Sequence, residues 1–323
     1  MKAIALISGG LDGLLAAKFI KEEGIEVIGI RFGIPFSAKP GKAIADIGIE
    51  VREADICEDF LKLVEKPAHG RGSLMNPCID CKILMLKKAE EIMCREGAKF
   101  IITGEVLGQR PMSQHKEALG IIAKASGLEG LILRPLSAKL LEESIPEKEG
   151  WVRRGNLLGF SGRGRKAQID LAGKLGIQNY AQPAGGCLLT DPGFSRRLKD
   201  LIAHEGLSRE GVELLKIGRH FRLNDKARLV VGRDEKENER LLNSARDSDY
   251  MFMPGEDIAG PTSLGRGVFD EGSISFSCGI TCGYCDINSD READILCKRG
   301  PGGEERVFRV SPIARKGLSG IRV

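Results

Sequence analysis

Between Ala3 and Glu23 an unbroken apolar stretch, Ala3–Ile7, passes through Ser8-Gly9-Gly10-Leu11-Asp12-Gly13 into a segment carrying Leu14, Leu15, Phe19 and Ile20 at helical spacing. A continuous apolar run predicts a strand covered on both faces, and a glycine turn leading straight into a helix makes a βα unit. The helix is expected over Leu14–Glu23, with Gly24 as its stop. The alternation continues. Strands are expected at Ile25–Phe32, Glu50–Ile56, Phe100–Thr103 and Leu131–Leu133, and helices at Glu58–Val64 and from Asn76 to Gly97, with Ile79, Ile83, Leu86, Ala89 and Met93 on one face. Strands alternating with helices predict an α/β fold, a doubly wound parallel sheet that binds ligands at the carboxyl ends of its strands.

At 323 residues the chain is long enough for two domains at roughly 150 residues each. The boundary is expected after residue 190, giving a first domain over 1–190 and a smaller α+β domain over 191–323. In the second, helices are expected near Gly193–His204 and Glu235–Ala245, and strands at Arg228–Gly232, Ser273–Ser277 and Arg306–Val310. With 42% hydrophobic and 29% charged residues, disorder and low-complexity architectures are excluded. The net charge of +4 lies wholly in the first 190 residues, since 191–323 carries 22 basic and 22 acidic residues. No apolar run approaches the ~20 residues that span a bilayer, and the apolar start is too short for a secretory leader. A cytoplasmic location is expected, so the nine cysteines are read as reduced thiols or metal ligands.

The turn Ser8–Gly13 has the chemistry of a phosphate loop. Glycines let backbone approach phosphate closely, helix N-terminal N–H groups donate to it, and Asp12 can hold magnesium. An ordinary tight turn is the competing reading. SGGLDG resembles the SGGxDS signature of the PP-loop ATP pyrophosphatases, with Gly13 where that family usually has serine. The resemblance implies ATP and Mg2+ bound through Ser8, Gly9, Gly10, Asp12 and Gly13, and cleavage of ATP between its α- and β-phosphates. Thr103-Gly104-Glu105-Val106-Leu107-Gly108-Gln109-Arg110 is similar to a later nucleotide-contacting loop of these enzymes, which adds Gly104 and Glu105; Arg134-Pro135-Leu136-Ser137 is placed similarly after the next strand.

Asn76-Pro77-Cys78-Ile79-Asp80-Cys81-Lys82 puts two thiols in the first turn of a helix, with Asn76 as N-cap and the helix end expected to lower their pKa. A third, Cys187, follows Pro183-Ala184-Gly185-Gly186. Three thiolates can hold a [4Fe–4S] cluster with one open iron. Zinc, a redox pair and buried small residues remain open from spacing alone. NPCIDCK resembles the NPC-x-x-C element of PP-loop tRNA 2-thiouridine synthetases. That resemblance implies that Cys78, Cys81 and Cys187 are catalytic, with Asp12, and either ligate the cluster or carry persulfide sulfur. Cys57 and Cys94 are expected in the core. Cys278, Cys282 and Cys285 have the C-x-x-x-C-x-x-C spacing of radical S-adenosylmethionine enzymes, with Cys297 nearby, but no β/α barrel surrounds them, and buried thiols are the favoured reading.

Trp151–Gln168 contains Arg153, Arg154, Arg163, Arg165 and Lys166, no acidic residue, and the aromatics Trp151 and Phe160. Such a stretch can neutralise phosphates and stack bases, and is assigned to RNA. Val231-Gly232-Arg233-Asp234 with Asn238-Glu239 resembles the vGR-x-x-x-eNe pattern of a small RNA-binding module of ribosome quality-control proteins, over roughly residues 218–262. Together these resemblances imply an ATP-dependent tRNA sulfurtransferase. Its partners are tRNA and a sulfur donor, either sulfide or a persulfide or sulfur-carrier protein; no membrane is implied, and a homodimer is open. A PP-loop enzyme acting on a small molecule and a non-catalytic RNA-binding iron–sulfur protein are the alternatives.

Overall fold

The computed structural model describes residues 1–37, 47–178, 180, 186–288 and 290–323. The stretch Pro183-Ala184-Gly185 before Cys187 lies outside the described residues. The chain divides into two units, Met1–Asp191 and Pro192–Val323.

In the first unit, β1 (Lys2–Leu6), α1 (Leu11–Glu22), β2 (Glu26–Gly33), β3 (Val51–Asp55), α2 (Cys57–Glu65), α3 (Cys78–Arg95), β4 (Phe100–Ile102), α4 (Lys116–Ala125), β5 (Ile132–Leu133), α5 (Ile145–Lys148) and α6 (Lys166–Lys174) follow in order. The sheet is all parallel in these pairings, with order β3-β2-β1-β4-β5. The alternation of each strand sorts its side chains. Ala3, Ala5, Phe100 and Ile102 pack with Leu14 and Leu15 of α1 and Ala172 of α6. Ile4, Ile28, Ile30 and Ile101 pack with Ile83 and Leu86 of α3 and Ile122 of α4. Both faces of the sheet are therefore covered, as the unbroken apolar runs require. The strand order reverses between β1 and β4, which opens a crevice at their carboxyl ends.

Two boundaries differ from expectation. Helix α1 begins at Leu11, capped by Gly10, so Asp12 and Gly13 belong to its first turn. Helix α3 begins at Cys78 with Pro77 at the N-cap and no side-chain cap; Asn76 donates its amide to Cys78 Sγ instead, at 3.2 Å.

The second unit contains α7 (Pro192–His204), α8 (Arg209–Leu215), β6 (Arg219–Asn224), β7 (Ala227–Val231), α9 (Glu235–Asn243), β8 (Tyr250–Pro254), β9 (Ser263–Gly267), α10 (Glu271–Cys282), β10 (Ala293–Arg299) and β11 (Glu305–Val310). Its sheet is antiparallel, in the order β11-β10-β8-β9-β7-β6. The strand expected at Ser273–Ser277 is part of α10, whose apolar face packs on this sheet. Among the described residues no helix is long and apolar enough to cross a membrane.

Candidate functional site

The crevice between β1 and β4 is built by close backbone approach. Gly9 adopts φ +82°, a left-handed conformation that suits glycine. The first helical hydrogen bond of α1 runs from Leu14 N to Gly10 O at 3.3 Å, which leaves the N–H groups at the head of the helix without intrahelical acceptors. Gly104, two residues past β4, lies against this turn so tightly that a Cβ there would stand 2.3 Å from the Asp12 carbonyl carbon and 2.4 Å from Gly13 N. A Cβ at Gly13 would sit 3.0 Å from Leu6 O. Gly13 thus stands in a tight place between the helix and the end of β1.

Asp12 is held from two sides. Gln109 Nε2 donates to its Oδ2 at 2.7 Å, Gln168 Nε2 donates to Gln109 Oε1 at 3.2 Å, and Arg165 Nη2 lies 3.5 Å from Asp12 Oδ1. Asp12 Oδ1 and Arg165 Nε are both buried and have no hydrogen-bond partner. An ion pair whose carboxylate and guanidinium each keep an unsatisfied atom, at the head of a helix, suits a magnesium ion and a phosphate together.

Glu105 is only 2% exposed. Arg134 Nε donates to it at 2.9 Å and Thr103 Oγ1 at 3.1 Å, and Lys82 Nζ lies 3.7 Å away. Burial pushes its carboxyl up, but Lys82 and Arg134 outweigh that and hold it below the usual carboxylate value. Glu105 therefore anchors α3 and the end of β5 to the β4 loop. Its Oε1 and Arg134 Nη2 are buried with no hydrogen-bond partner.

The three cysteines come from separate segments. Cys78 and Cys81 open α3; Cys187 makes an isolated bridge with Ser37, while Leu188 N donates to Phe36 O at 2.9 Å and Met75 N to Leu189 O at 3.3 Å. The residues around Cys187 are thereby tied both to the chain after β2 and to the approach to α3. The three sulfurs lie within electrostatic reach of one another, because the charges of Cys78 and Cys187 act on Cys81 and that of Cys78 acts on Cys187. The expected low thiol pKa is not found at Cys81 or Cys187. Protein atoms crowd the Cys81 sulfur and push its thiol up to about 12, with Cys187 and Cys78 adding to the rise and Lys82 opposing it. Burial likewise raises Cys187. Desolvation outweighs the helix end here. Among the described residues no group of three His, Cys, Asp or Glu is arranged to hold a metal ion.

The three cysteines and the Asp12 turn are linked through the β4 loop. Lys82, next to Cys81, meets Glu105, and Glu105 adjoins Gly104, which lies on Asp12. Gln109 binds Asp12, and the next residue, Arg110, acts electrostatically on both Cys81 and Cys187. Sequence reasoning did not single out Lys82, Gln109, Arg110 or Gln168 as site residues. Their signal was position alone, beside a cysteine or after a strand.

The basic segment divides. Arg165 is beside Asp12 in the crevice between β1 and β4. Arg154 is bound by Glu147 and by Leu141 O, so it braces the fold. Arg153, Arg163 and Lys166 are exposed. Trp151 and Phe160 are partly buried and pack against the core, Trp151 at 6.2 Å from the Phe100 ring. Of the other cysteines, Cys57, Cys278, Cys282, Cys285 and Cys297 are buried, while Cys94 is exposed, contrary to expectation.

The module-like motif in the second unit interlocks. A Cβ on Gly232 would fall 2.1 Å from Asn238 Oδ1, which accepts from Thr262 N at 3.1 Å. Asp234 caps α9 by accepting from Glu237 N at 2.9 Å, and Glu237 binds Arg233.

Comparison with known proteins agrees with this division. Residues 1–145 match the family model of thiamine biosynthesis protein (ThiI), and residues 218–320 match that of the NFACT protein RNA binding domain. The probable tRNA sulfurtransferase of Thermococcus kodakarensis is 31% identical over 153 residues, covering 45% of this chain and 39% of that protein. The tRNA-specific 2-thiouridylase MnmA of Sulfurimonas denitrificans is 30% identical over 118 residues, covering 33% of this chain and 35% of that protein. A crystal structure of a 4-thiouridine synthetase–RNA complex with bound ATP aligns with a TM-score of 0.38 at 20% identity, over 67% of this chain and 52% of that one. The chain spans less than two fifths of the length of these two curated relatives, at 39% and 35%. Its first unit is thus similar to the ThiI family over residues 1–145, and its second to the NFACT RNA binding domain family over residues 218–320.

Proposed function

We propose that this protein is an ATP-dependent tRNA sulfurtransferase that acts in the cytoplasm. The observation that carries the proposal is the Asp12–Arg165 ion pair at the helix head, whose buried Asp12 Oδ1 and Arg165 Nε have no hydrogen-bond partner, one loop away from Cys78, Cys81 and Cys187. ATP would lie on Ser8–Gly13, its phosphates against the free N–H groups of α1 and Arg165, with Mg2+ on Asp12. Gln109 and Gln168 would fix the carboxylate, and Gly104 would hold the turn in place.

A uridine carbonyl oxygen attacks the α-phosphorus, a P–O bond forms, and pyrophosphate leaves with its electron pair. The oxygen is then part of a good leaving group. A sulfur nucleophile attacks the same ring carbon, and AMP departs with the oxygen. The protein's contribution is to position these groups and to offset phosphate charge. The tRNA would be held by the second unit, with Arg153, Arg163 and Lys166 of the first as further phosphate contacts.

Cys78, Cys81 and Cys187 suit a [4Fe–4S] cluster in donor type and number, and we assign them as its ligands. Bound there, the cluster would supply one open, Lewis-acidic iron. Because the Cys81 and Cys187 thiols are held protonated, assembly must release protons and draw the sulfurs together. Zinc and free thiols are the competing states. Anaerobic purification with iron, sulfide and zinc analysis and an absorption spectrum separates the three.

Replacing Cys187 with serine is expected to abolish thiolation of a tRNA transcript, a loss of at least 100-fold, while ATP affinity stays within twofold. Thiolation by C187S equal to wild type in a reconstituted assay overturns the assignment.

A further inference from the structure

The second unit as a whole is close to neutral, with 22 basic and 21 acidic residues over 192–323, yet it concentrates positive charge in one cavity of about 660 Å³. Arg219 enters it from β6, Arg233 from the turn after β7, Arg315 and Lys316 from the helical turn Arg315–Leu318, and Arg322 from the segment that bridges Phe221 on β6. Helix α7 adds Arg196 and Arg197. The lining thus holds seven cationic side chains and no acidic one.

Most of this charge is not matched one for one by carboxylates in the lining. Arg233 is paired with Glu237. Among the described residues Arg219, Arg315, Lys316 and Arg322 make no ion pair. Two of the guanidiniums are nevertheless held in place. Arg219 Nη1 donates to Gly232 O at 2.8 Å and Arg315 Nε to Gly283 O at 3.0 Å, and both cations lie over the Tyr284 ring with their Cζ atoms 4.8 Å from its centre. Each of these anchors engages only part of a guanidinium, which has five donors. Burial and the nearby charges of Arg233, Arg315 and Arg322 lower the pKa of Arg219, with Tyr284 opposing them. Like charges are therefore gathered and fixed against their mutual repulsion. That arrangement costs stability in the absence of an anion and is the preorganisation a polyanion rewards.

We propose that this cavity is where the second unit grips the sugar-phosphate backbone of RNA, receiving consecutive phosphates of one strand. The proposal rests on reading this unit as RNA-binding, and it adds where and by what chemistry. A single phosphate group brings about two negative charges at most, too few for the four cations that make no ion pair. A run of backbone phosphates supplies one charge per nucleotide and can engage several of these cations at once. The Gly232-Arg233 turn, which carries the module-like motif, delivers one of those cations.

The test uses the full chain and an unmodified tRNA transcript, with binding measured without ATP across a series of KCl concentrations. Arg315 and Arg322 are exposed, so R315Q/R322Q is expected to fold. Losing two phosphate contacts should weaken binding about tenfold near 0.1 M salt and make the slope of log K against log salt shallower by about 1.5 to 2. K316E, also at an exposed site, should weaken binding further than K316Q. The control K226Q, on the β6–β7 turn at the other end of the hairpin, should leave both quantities unchanged. Wild-type affinity and slope in R315Q/R322Q and K316E overturn the proposal. So does a result in which the variants lose binding of free inorganic pyrophosphate but keep that of RNA, which would make the cavity a small-anion site. Since ATP takes no part in the measurement, the sulfurtransferase reading can fail in its own assay while this one stands.

Discussion

Gly104 bears on nucleotide binding without any side chain of its own. Its virtual Cβ overlaps backbone atoms of Asp12 and Gly13, at 2.3 to 2.5 Å, and backbone cannot swing aside as a flexible side chain does. Gly104→Ala must displace either the β4 loop or the head of α1. Both carry groups of the candidate ATP site, so ATP affinity should fall at least tenfold by titration calorimetry, with the secondary structure retained. Unchanged affinity would show that the turn does not cradle the nucleotide. At this scale the phosphate loop was legible in the sequence because strand, glycines and helix are contiguous. The partners of Asp12 were not, since Gln109 lies 97 residues away and meets it only once β1 and β4 are adjacent. Arg165 was visible as a charge but was assigned to RNA, because a basic run shows nothing of which member turns inward.

Helices show the same limit differently. The first turn of α3 presents Cys78 and Cys81 as expected, but the inference from helix end to thiolate omitted the packing, and burial decided the sign. In α10, Ser-Ile-Ser-Phe-Ser reads as a period-two strand. It is helical because Asp270 caps the segment, accepting from Ser273 N at 2.7 Å, and because Ser277 and Thr281 return their hydroxyls to Ser273 O and Ser277 O at 2.8 and 2.9 Å. Those bonds let small polar residues face the sheet. The same helix buries Cys278 and Cys282, whereas Cys94 on α3 faces solvent. Brief iodoacetamide treatment of the native protein at pH 8, read by peptide mass spectrometry, should label Cys94 and leave Cys278, Cys282, Cys285 and Cys297 unmodified until denaturant is added. Early labelling of the four would mean that α10 does not pack as described.

Across the whole molecule, the parallel sheet was legible because hydrophobic periodicity is local, while the cationic cavity of the second unit was hidden by averaging, 22 basic residues against 21 acidic over 192–323. That unit also has a stability window set by groups it buries. Burial, with Arg197 and Arg228 nearby, lowers His220 from 6.5 to about 3. The folded unit thus favours neutral His220, and the stability this gives is complete above pH 6.5 and is lost as pH falls towards 3. Burial raises Cys278 and Cys285 from 9.0 to about 12 and Cys297 to about 11. These thiols favour folding while protonated, so their contribution is intact below pH 9 and is lost as pH climbs through 11 to 12. Stability should therefore be flat between about pH 6.5 and 9 and fall on either side, by on the order of 1 kcal/mol per pH unit for each group engaged. Hydrogen exchange of peptides from 192–323 reads this unit directly, while the single tryptophan, Trp151, reports on the first. Cys278→Ala should remove that thiol's share of the alkaline slope and leave the acid limb in place. If protection of these peptides is constant from pH 9 to 11, the thiols are not desolvated as the packing of α10 against the sheet requires.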